Sequence, residues 1–301
     1  MKYTVTGGLG FIGNSLVNYL LNSGHDVQII DNLTNVNNSK HDSLENTATF
    51  HKIDILNSEK LESLIEGQDG IFHHAALIDV QESFRNKDLY HQVNVLGTQN
   101  IFEVAKKFNL KVVYASSAAV YGNCPSSPIK EKDLLNPINP YGQTKLECEN
   151  VAKKFAKDGV KSIGLRYFNV FGPCQSLAYA GVITKFFEKL VQGKSPEIFG
   201  MGDQIRDFVF VDDVAEANLK AMENDINFSI INIASGKPTK IIDLARLMIK
   251  SFGYDFDPVF SSSKIGDIQK SLADITLASK LLNWIPKTKL EDWIESRVNK
   301  N

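Results

Sequence analysis

Three glycines behind a short apolar segment constrain this chain more than any other feature. The run Tyr3 to Val5 leads into Gly7, Gly10 and Gly13, which are spaced three residues apart. Such glycines let a chain turn sharply out of a strand, let its backbone touch a phosphate without an intervening Cβ, and pack the following helix against the sheet. A tight strand-to-helix turn without a ligand would show the same spacing. The glycines therefore predict strand, turn and helix, and they predict a phosphate site only if other residues agree.

A carboxylate about twenty residues downstream agrees with the phosphate interpretation. Asp31 ends the predicted second strand, and Asn32 follows it where an arginine would suit a 2′-phosphate. A carboxylate at this place accepts hydrogen bonds from the adenosine ribose and repels a 2′-phosphate. We therefore predict NAD rather than NADP; the alternative for Asp31 is a helix cap or turn residue. Asp54 and Ile55 follow the third strand, from where they would contact adenine.

Apolar β-branched runs alternate with helical periodicity over the first half of the chain. The predicted strands are Tyr3 to Thr6, Val27 to Asp31, Phe50 to Ile53, Gly70 to His73, Lys111 to Ala115 and Ser162 to Tyr167. The predicted helices are Phe11 to Leu21, Ser58 to Ile65, Leu89 to Phe108 and Tyr141 to Lys157. Repeated strand and helix predict an α/β fold with a doubly wound parallel sheet.

Near residue 169 the pattern changes to loops rich in glycine and proline, mixed with short helices such as Val182 to Leu190. Phe208 to Val211 and Ile230 to Ile233 are predicted as further strands, one or both of which return to the first sheet. We expect a cofactor domain over residues 1–168, with a returning segment within 205–235, and a smaller C-terminal α/β substrate domain over 169–301.

Three polar residues predict proton and hydride chemistry. Tyr141 and Lys145 are four residues apart and so share one face of a helix. A phenol with a pKa of about 10 needs roughly 4 kcal/mol of phenolate stabilisation to act near pH 7, and an adjacent ammonium supplies part of it. Ser117 follows the strand Lys111 to Ala115, at the edge of the sheet where ligands bind. The alternatives are an exposed helix pair and a surface serine, and the glycine loop makes them less attractive.

Composition excludes several classes of partner. The 301 residues carry a formal net charge of −2 with dispersed basic residues, so neither nucleic acid nor a membrane is expected as a partner. Three cysteines without C-x-x-C spacing suit a reducing compartment, and we expect a cytoplasmic protein. His73 and His74 are adjacent at a strand end and point to opposite faces, so no metal site is expected. Asp212 and Asp213 are predicted to cap a helix.

Taken together, these motifs resemble the extended short-chain dehydrogenase/reductase family, and within it the nucleotide-sugar 4-epimerases of the UDP-glucose/UDP-N-acetylglucosamine type. The most specific pieces are TGGLGFIG (6–13), HHAA (73–76), SSAAVYG (116–122), YGQTK (141–145), RYFN (166–169) and RDF (206–208). The resemblance covers nearly the whole length. It implies a Rossmann fold, a homodimer formed by the helices near residues 89–108 and 141–157, and an NAD-dependent isomerase that acts on a UDP-sugar.

The resemblance also implies roles for individual residues. Tyr141 would be the catalytic base, Lys145 would bind the nicotinamide ribose and lower the tyrosine pKa, and Ser117 would hydrogen-bond the sugar oxygen. Implied NAD contacts are Gly7, Gly10, Phe11, Ile12, Gly13, Asp31, Asn32, Asp54, Ile55, Ala75, Ala76, Asn94, Tyr141, Lys145 and Phe168. Implied substrate contacts, besides Ser117 and Tyr141, are Asn169, Phe199, Arg206, Lys264, Asp267 and Ser271. The alternative for Arg206 is a surface ion pair with a neighbouring carboxylate such as Asp207.

Within the family, the residues favour epimerisation at C4 through a transient 4-keto sugar. Ala118 and Ala119 occupy positions where dehydrating or decarboxylating relatives carry carboxylates, and alanine transfers no proton. Ser271 stands where glucose-restricted epimerases carry a tyrosine, which favours acceptance of N-acetylated sugars. A UDP-glucuronate 4-epimerase, a nucleotide-sugar reductase and a non-catalytic NAD-sensing protein remain alternatives.

Overall fold

The apolar runs of the first half pair into one seven-stranded parallel sheet in the computed structural model, which describes residues 1–34, 48–173, 175, 181–263 and 268–299. From one edge to the other its strands are β11 (Phe228–Ile233), β6 (Ser162–Tyr167), β5 (Lys111–Ser117), β4 (Gly70–His73), β1 (Lys2–Thr6), β2 (Asp26–Asp31) and β3 (Thr49–Lys52). The strand order reverses between β1 and β4, so the crevice at their carboxyl ends is the place where this sheet type binds ligands.

Helices cover both faces of the sheet. Those of the first 223 residues are α1 (Phe11–Asn22), α2 (Ser58–Ile65), α3 (Val80–Arg85), α4 (Lys87–Tyr90), α5 (Gly97–Phe108), α6 (Pro140–Lys157), α7 (Val182–Val191) and α8 (Val211–Glu223). A π-helical segment (His91–Leu96) joins α4 to α5, and a 3₁₀ turn (Ala118–Tyr121) follows β5. Apolar residues of α1 and α8 pack on one face of the sheet, and those of α2, α5 and α6 pack on the other.

Short strand pairs characterise the chain after Phe168. β7 (Asn169–Phe171) pairs with β10 (Phe208–Phe210), β8 (Glu197–Phe199) with β13 (Val259–Ser261), and β9 (Ile205–Arg206) with β12 (Thr239–Lys240). The remaining helices are α9 (Ile241–Ser251), α10 (Thr276–Leu282) and α11 (Leu290–Val298). Side chains of α7, α9 and α11 form an apolar cluster of their own, which includes Phe171 of β7. None of the helices in the described ranges is long and apolar enough to cross a membrane.

The predicted fold class is confirmed, and the six predicted strands of the first half all join the sheet. Of the two later strands, the one at Ile230 returns to the sheet as part of β11, whereas Phe208 to Phe210 pairs with β7 instead. The predicted helix Leu89 to Phe108 is interrupted by the π-helical segment. The division into two domains at residue 168 stays a prediction.

The predicted cap at Asp212 and Asp213 is wrong. Phe210 precedes α8, and both carboxylates lie within its first turn. Asp212 accepts a hydrogen bond from the Ser15 hydroxyl at 2.6 Å, and Asp213 accepts one from the backbone N–H of Thr288 at 2.9 Å. These acids therefore connect α8 to its neighbours, and the sequence spacing alone does not distinguish that use from capping.

Candidate active site

A cleft of about 830 Å³ lies at the carboxyl ends of the parallel strands. It continues from the glycine loop past β5 and α6 to the short strand pairs. The predicted site residues that line it are Gly7, Gly10, Phe11, Ile12, Gly13, Asp31, Asn32, Asp54, Ile55, Ala75, Ala76, Ser117, Tyr141, Lys145, Phe168, Asn169, Phe199 and Arg206. The fold thus brings together residues that are far apart in sequence.

The glycine loop forms a cradle that larger residues would fill. Gly7 has a φ of +67°, and a Cβ there would lie 2.6 Å from the backbone nitrogen of Ala75. A Cβ at Gly13 would lie 2.1 Å from the carbonyl oxygen of Gly7. Phe11, Ile12 and Gly13 form the first turn of α1, whose N–H groups have no acceptor within the helix. Facing the cleft, this helix start fits a pyrophosphate.

Asp31 is fixed in the wall next to this cradle. Its carboxylate accepts hydrogen bonds from the backbone N–H groups of Leu9 at 3.2 Å and Leu33 at 2.9 Å. The side-chain amide of Asn32 donates to the Asp54 carboxylate at 2.9 Å, which ties the turns after β2 and β3 together. The residues present therefore fit a dinucleotide with its ribose at Asp31.

The start of α6 places Tyr141 and Lys145 on the cleft. Asn139 caps the helix by accepting the N–H of Gly142 at 2.8 Å, and Pro140 occupies the first turn, where it displaces no hydrogen bond. Tyr141 lies in that turn. The Lys145 ammonium donates to the carbonyl of Ala115 at 2.9 Å, at the end of β5. The start of α6 thus presents the Tyr141 phenol and the Lys145 ammonium to the same cleft.

Ser117 ends β5 and opens the 3₁₀ turn. Its hydroxyl oxygen accepts the N–H of Ala119 at 3.2 Å, which leaves the hydroxyl proton free to be donated. Ala118 and Ala119 follow without an ionisable side chain.

Two neutral histidines lie at the end of the cleft formed by the glycine loop and Asp31, which we call the cofactor end. His73 bridges the hydroxyls of Thr6 and Thr98 at 2.8 and 2.9 Å, and burial is the main cause that lowers its pKa to about 3. His74 contacts the Asn218 amide oxygen at 3.2 Å, and burial lowers its pKa to about 4. Thr98 belongs to α5 and Asn218 to α8, so the two rings point to opposite faces of the sheet, as predicted.

A buried carboxylate organises the other end of the cleft. Asp207 accepts hydrogen bonds from the N–H and hydroxyl of Ser235 at 2.7 and 2.6 Å, from the N–H of Gly236 at 3.0 Å and from the N–H of Ala273 at 3.2 Å. Burial raises the pKa of Asp207, and these donors oppose that rise. The Asn169 amide donates to the Asp207 carbonyl at 3.1 Å. The Asp207 carboxylate therefore connects β9 to the loops at residues 235, 236 and 273.

Two of the predicted contacts, Asn94 and Ser271, are described residues that do not line the cleft. Asn94 is 1% exposed and lies behind the wall, where its amide bonds the N–H and carbonyl of Leu77 at 2.8 and 3.0 Å. Ser271 is 8% exposed, and its N–H donates to the Ile205 carbonyl at 3.0 Å. Lys264 and Asp267 lie outside the described residues.

Sequence reasoning missed part of the lining. The polar residues among these are Thr34, His74, Ser116, Tyr167, Gln175, Lys185, Glu197 and Gln204. Ser116 lies within the quoted motif SSAAVYG and Tyr167 within RYFN, so the motifs at these strand ends signalled them. Lys185 comes from α7 and Glu197 from β8, and neither belongs to a motif with a recognisable spacing.

Comparison with known proteins agrees with this geometry. Residues 3–234 match the model of the NAD dependent epimerase/dehydratase family. The chain belongs to this family. A solved UDP-glucose 4-epimerase from Thermotoga maritima, in a structure with UDP-glucose, is 35% identical with a TM-score of 0.94, over 99% of this chain and 98% of that one.

Two further solved structures are similar over nearly the whole chain. A UDP-N-acetylglucosamine 4-epimerase from Methanobrevibacter ruminantium is 36% identical with a TM-score of 0.91, over 99% of this chain and 97% of that one. A UDP-glucuronic acid 4-epimerase from Bacillus cereus, in complex with UDP-glucuronic acid and NAD, is 32% identical with a TM-score of 0.90, over 99% and 98% of the two chains. The predicted family, isomerase class and NAD dependence are confirmed.

Proposed function

We propose that the protein interconverts C4 epimers of UDP-hexoses, with UDP-glucose and UDP-galactose as the first pair to test. The supporting observation is the shared cleft: Tyr141, Lys145 and Ser117 line the same cavity as the glycine loop at one end and Arg206 at the other. The similarity to UDP-glucose and UDP-N-acetylglucosamine 4-epimerases supports the same assignment.

In the proposed reaction, the Tyr141 phenolate removes the proton from the 4-hydroxyl of the sugar. NAD, which the glycine loop and Asp31 would hold, would supply reversible hydride transfer at C4 of the sugar. Lys145 would bind the nicotinamide ribose beside Tyr141, and Ser117 donates a hydrogen bond to the sugar oxygen as its charge changes. The 4-keto sugar turns over within the cleft before reduction, so the new C–H bond forms on the opposite face and the 4-hydroxyl is inverted.

A sugar that turns over needs an anchor elsewhere, and we assign that anchor to the nucleotide. Asn169, Phe199 and Arg206 line the end of the cleft remote from the glycine loop. The planar guanidinium of Arg206 suits a diphosphate because it offers a fork of donors. Lys264 and Asp267 remain proposed contacts of the same group.

We propose that the protein also accepts N-acetylated hexoses, although the position of Ser271 does not support this part of the proposal. Because Ser271 is buried against Ile205, it lies away from the cleft surface. The similarity to the UDP-N-acetylglucosamine enzyme supports this wider range, and the similarity to the UDP-glucuronic acid enzyme makes uronate the second candidate substrate.

We also propose a homodimer in the cytoplasm. Leu96, at the end of the π-helical segment before α5, is 41% exposed, and covering such a side chain is favourable. Cys124 and Cys148 are free thiols, which suits a reducing compartment. Light scattering of the purified protein tests the dimer, and a Leu96→Asp variant that stays dimeric would contradict this interface.

The proposed activity is tested by incubating purified protein, without added NAD, with UDP-glucose, UDP-N-acetylglucosamine and UDP-glucuronate separately. We expect C4 inversion of at least the first, measured by nuclear magnetic resonance of the anomeric and C4 protons. Inversion of UDP-glucuronate alone would assign the uronate activity. No inversion together with net reduction of the cofactor would reject epimerisation and favour a dehydrogenase.

A further inference from the structure

Besides the residues that face the cleft, α6 carries a buried carboxylate on the same helix face. Tyr141, Lys145 and Glu149 are spaced four residues apart and so share one face of α6, on which Lys145 and Glu149 are buried. The Lys145 ammonium reaches the carbonyl of Ala115, and the Glu149 carboxylate accepts the hydroxyl of Ser116 at 2.5 Å. The helix therefore contacts two consecutive residues of β5, directly before Ser117.

Glu149 also binds a buried guanidinium in two places. Arg166 Nε donates to Glu149 Oε1 at 2.8 Å, and Arg166 Nη2 donates to Oε2 at 2.7 Å. Both side chains are only 3% exposed. Burial by itself would lower the pKa of Arg166, but its hydrogen bond to Glu149 and the charge of that carboxylate raise it, so the guanidinium stays charged. A planar two-point pair fixes direction as well as distance.

The ion pair of Glu149 and Arg166 contacts the chain both before and after Ser117. Arg166 lies beside Ser116 in the register of β6 with β5. Its Nη1 donates to the Tyr121 hydroxyl at 2.7 Å and to the carbonyl of Glu131 at 3.0 Å. Tyr121 ends the 3₁₀ turn that Ser117 opens. The residues on both sides of Ser117 are thus held by the same ion pair.

The network continues into the last strand of the sheet. The Tyr121 hydroxyl donates to Asn232 Oδ1 at 2.6 Å, and the Asn232 amide donates to the carbonyl of Ile129 at 3.0 Å. The Glu131 carboxylate accepts the N–H of Asn232 at 3.0 Å. Every polar group of the ion pair is satisfied, and a satisfied buried network rigidifies its surroundings.

We infer that Glu149 and Arg166 are positioning residues that hold the Ser117 hydroxyl in its catalytic place relative to Tyr141 by clamping Ser116 and Tyr121. Neither residue touches the substrate in this assignment. The inference rests on the proposed function, because it gives the ion pair a role in the same reaction. A well-packed apolar pair would stabilise the fold as well as a buried ion pair does. The directional bonds to Ser116 and Tyr121 are what the reaction requires.

The mildest test is Ser116→Ala, which removes the hydroxyl bound to Glu149 and leaves the ion pair intact. Ser162→Ala is the matched control, because Ser162 is a fully buried serine at the opposite end of β6, and no residue of the described chain hydrogen-bonds its hydroxyl. We expect kcat of Ser116→Ala to fall roughly 10- to 100-fold, since small displacements of catalytic groups cost that much. Its KM for the UDP-sugar and its bound NAD should stay as in the wild type, and Ser162→Ala should keep the wild-type kcat.

Glu149→Gln provides a second, stronger variant. The glutamine amide would set an N–H group against the guanidinium, so we expect a larger loss of kcat than for Ser116→Ala, again with little change in KM. Because this variant leaves a buried charge unpaired and risks misfolding, Ser116→Ala decides the matter if Glu149→Gln does not fold. Wild-type kcat in Ser116→Ala, or an equal loss in Ser162→Ala, would overturn the inference while leaving the proposed function standing. A wild-type protein that inverts no UDP-hexose would overturn both.

Discussion

The two ends of the cleft are built in different ways. The cofactor end consists of turns that follow neighbouring strands of one parallel sheet, so Gly7, Asp31 and Ala75 meet because their strands are adjacent. The other end, where we propose that the nucleotide binds, is called the nucleotide end. Three separate strand pairs form it from residues far apart in the chain. The Asp207 carboxylate connects these pairs to residues 235, 236 and 273. Local sequence therefore specifies the cofactor end, and long-range contacts specify the nucleotide end.

The largest effect is expected where the two ends meet. Tyr141→Phe removes the proton acceptor but keeps the ring, so we expect kcat for UDP-glucose to fall roughly 10²- to 10⁴-fold. Bound NAD should be retained, because the glycine cradle is untouched. The measurements are steady-state epimerisation and the NAD content of the denatured protein. Unchanged turnover would remove Tyr141 from the mechanism.

Gly13→Ala tests the cofactor end alone. The added Cβ would meet the Gly7 carbonyl at 2.1 Å, so α1 has to shift away from the loop. We expect a loss of about 1–3 kcal/mol in the free energy of unfolding and a protein that purifies without NAD.

The control for this variant is Gly181→Ala at the nucleotide end. Among the described residues, the nearest atom to a Cβ at Gly181 is 3.8 Å away, which is ordinary contact. Gly181→Ala should therefore keep its NAD. A Gly13→Ala protein with a full complement of NAD would show that the cradle tolerates a shifted helix, and the comparison of the two ends would lose its basis.

Asp207→Asn tests the nucleotide end. An asparagine would turn an N–H group towards donors that now face a carboxylate, so the loops at 235 and 273 should separate from β9. We expect the KM for the UDP-sugar to rise about tenfold and unfolding to cost about 2 kcal/mol less, with NAD retained. Asp212→Asn is the control, since Asp212 is exposed and bonds only Ser15 among the described contacts. Loss of NAD in Asp207→Asn, with unchanged KM, would contradict the division of labour between the ends.

The residues of the cofactor end were predictable because each lies within a short motif. The backbone geometry of the turn requires glycine at positions 7, 10 and 13, and the end of the second strand determines where Asp31 lies. The positions of Tyr141 and Lys145 could be predicted from the helical repeat and from Pro140, at which α6 begins. In all these cases, contacts within one strand–turn–helix unit decide where the side chain points.

Asn94 shows what local patterns leave undetermined. Its helix was expected, but the π-helical segment around it was not, and this segment carries the amide behind the wall towards Leu77. Whether a polar side chain faces a cleft or supports it from behind depends on which distant segment passes next to it. The same holds for Ser271, whose backbone N–H donates to the carbonyl of Ile205, 66 residues earlier in the chain. It also holds for Asp207.

A further comparison of the two ends concerns pH, to which they should respond with opposite sign. His73 at the cofactor end has a pKa of about 3, chiefly through burial, against about 6.5 in an unfolded chain. Between these values the unfolded chain binds a proton that the folded chain does not, so this histidine's contribution to stability is lost as pH falls below about 6.5. Burial raises the pKa of Asp207, so just above the usual range of an aspartate the folded chain holds the extra proton, and stability there falls as pH rises.

We therefore expect wild-type protein to lose roughly 2 kcal/mol of unfolding free energy per buried histidine between about pH 6.5 and about pH 5. His73→Asn should flatten this slope, because an asparagine between Thr6 and Thr98 does not titrate. Urea unfolding at several pH values gives the slopes directly. Equal slopes in wild type and His73→Asn would mean that the floor of the cofactor end admits a proton, and that the pH sensitivity of the fold arises elsewhere.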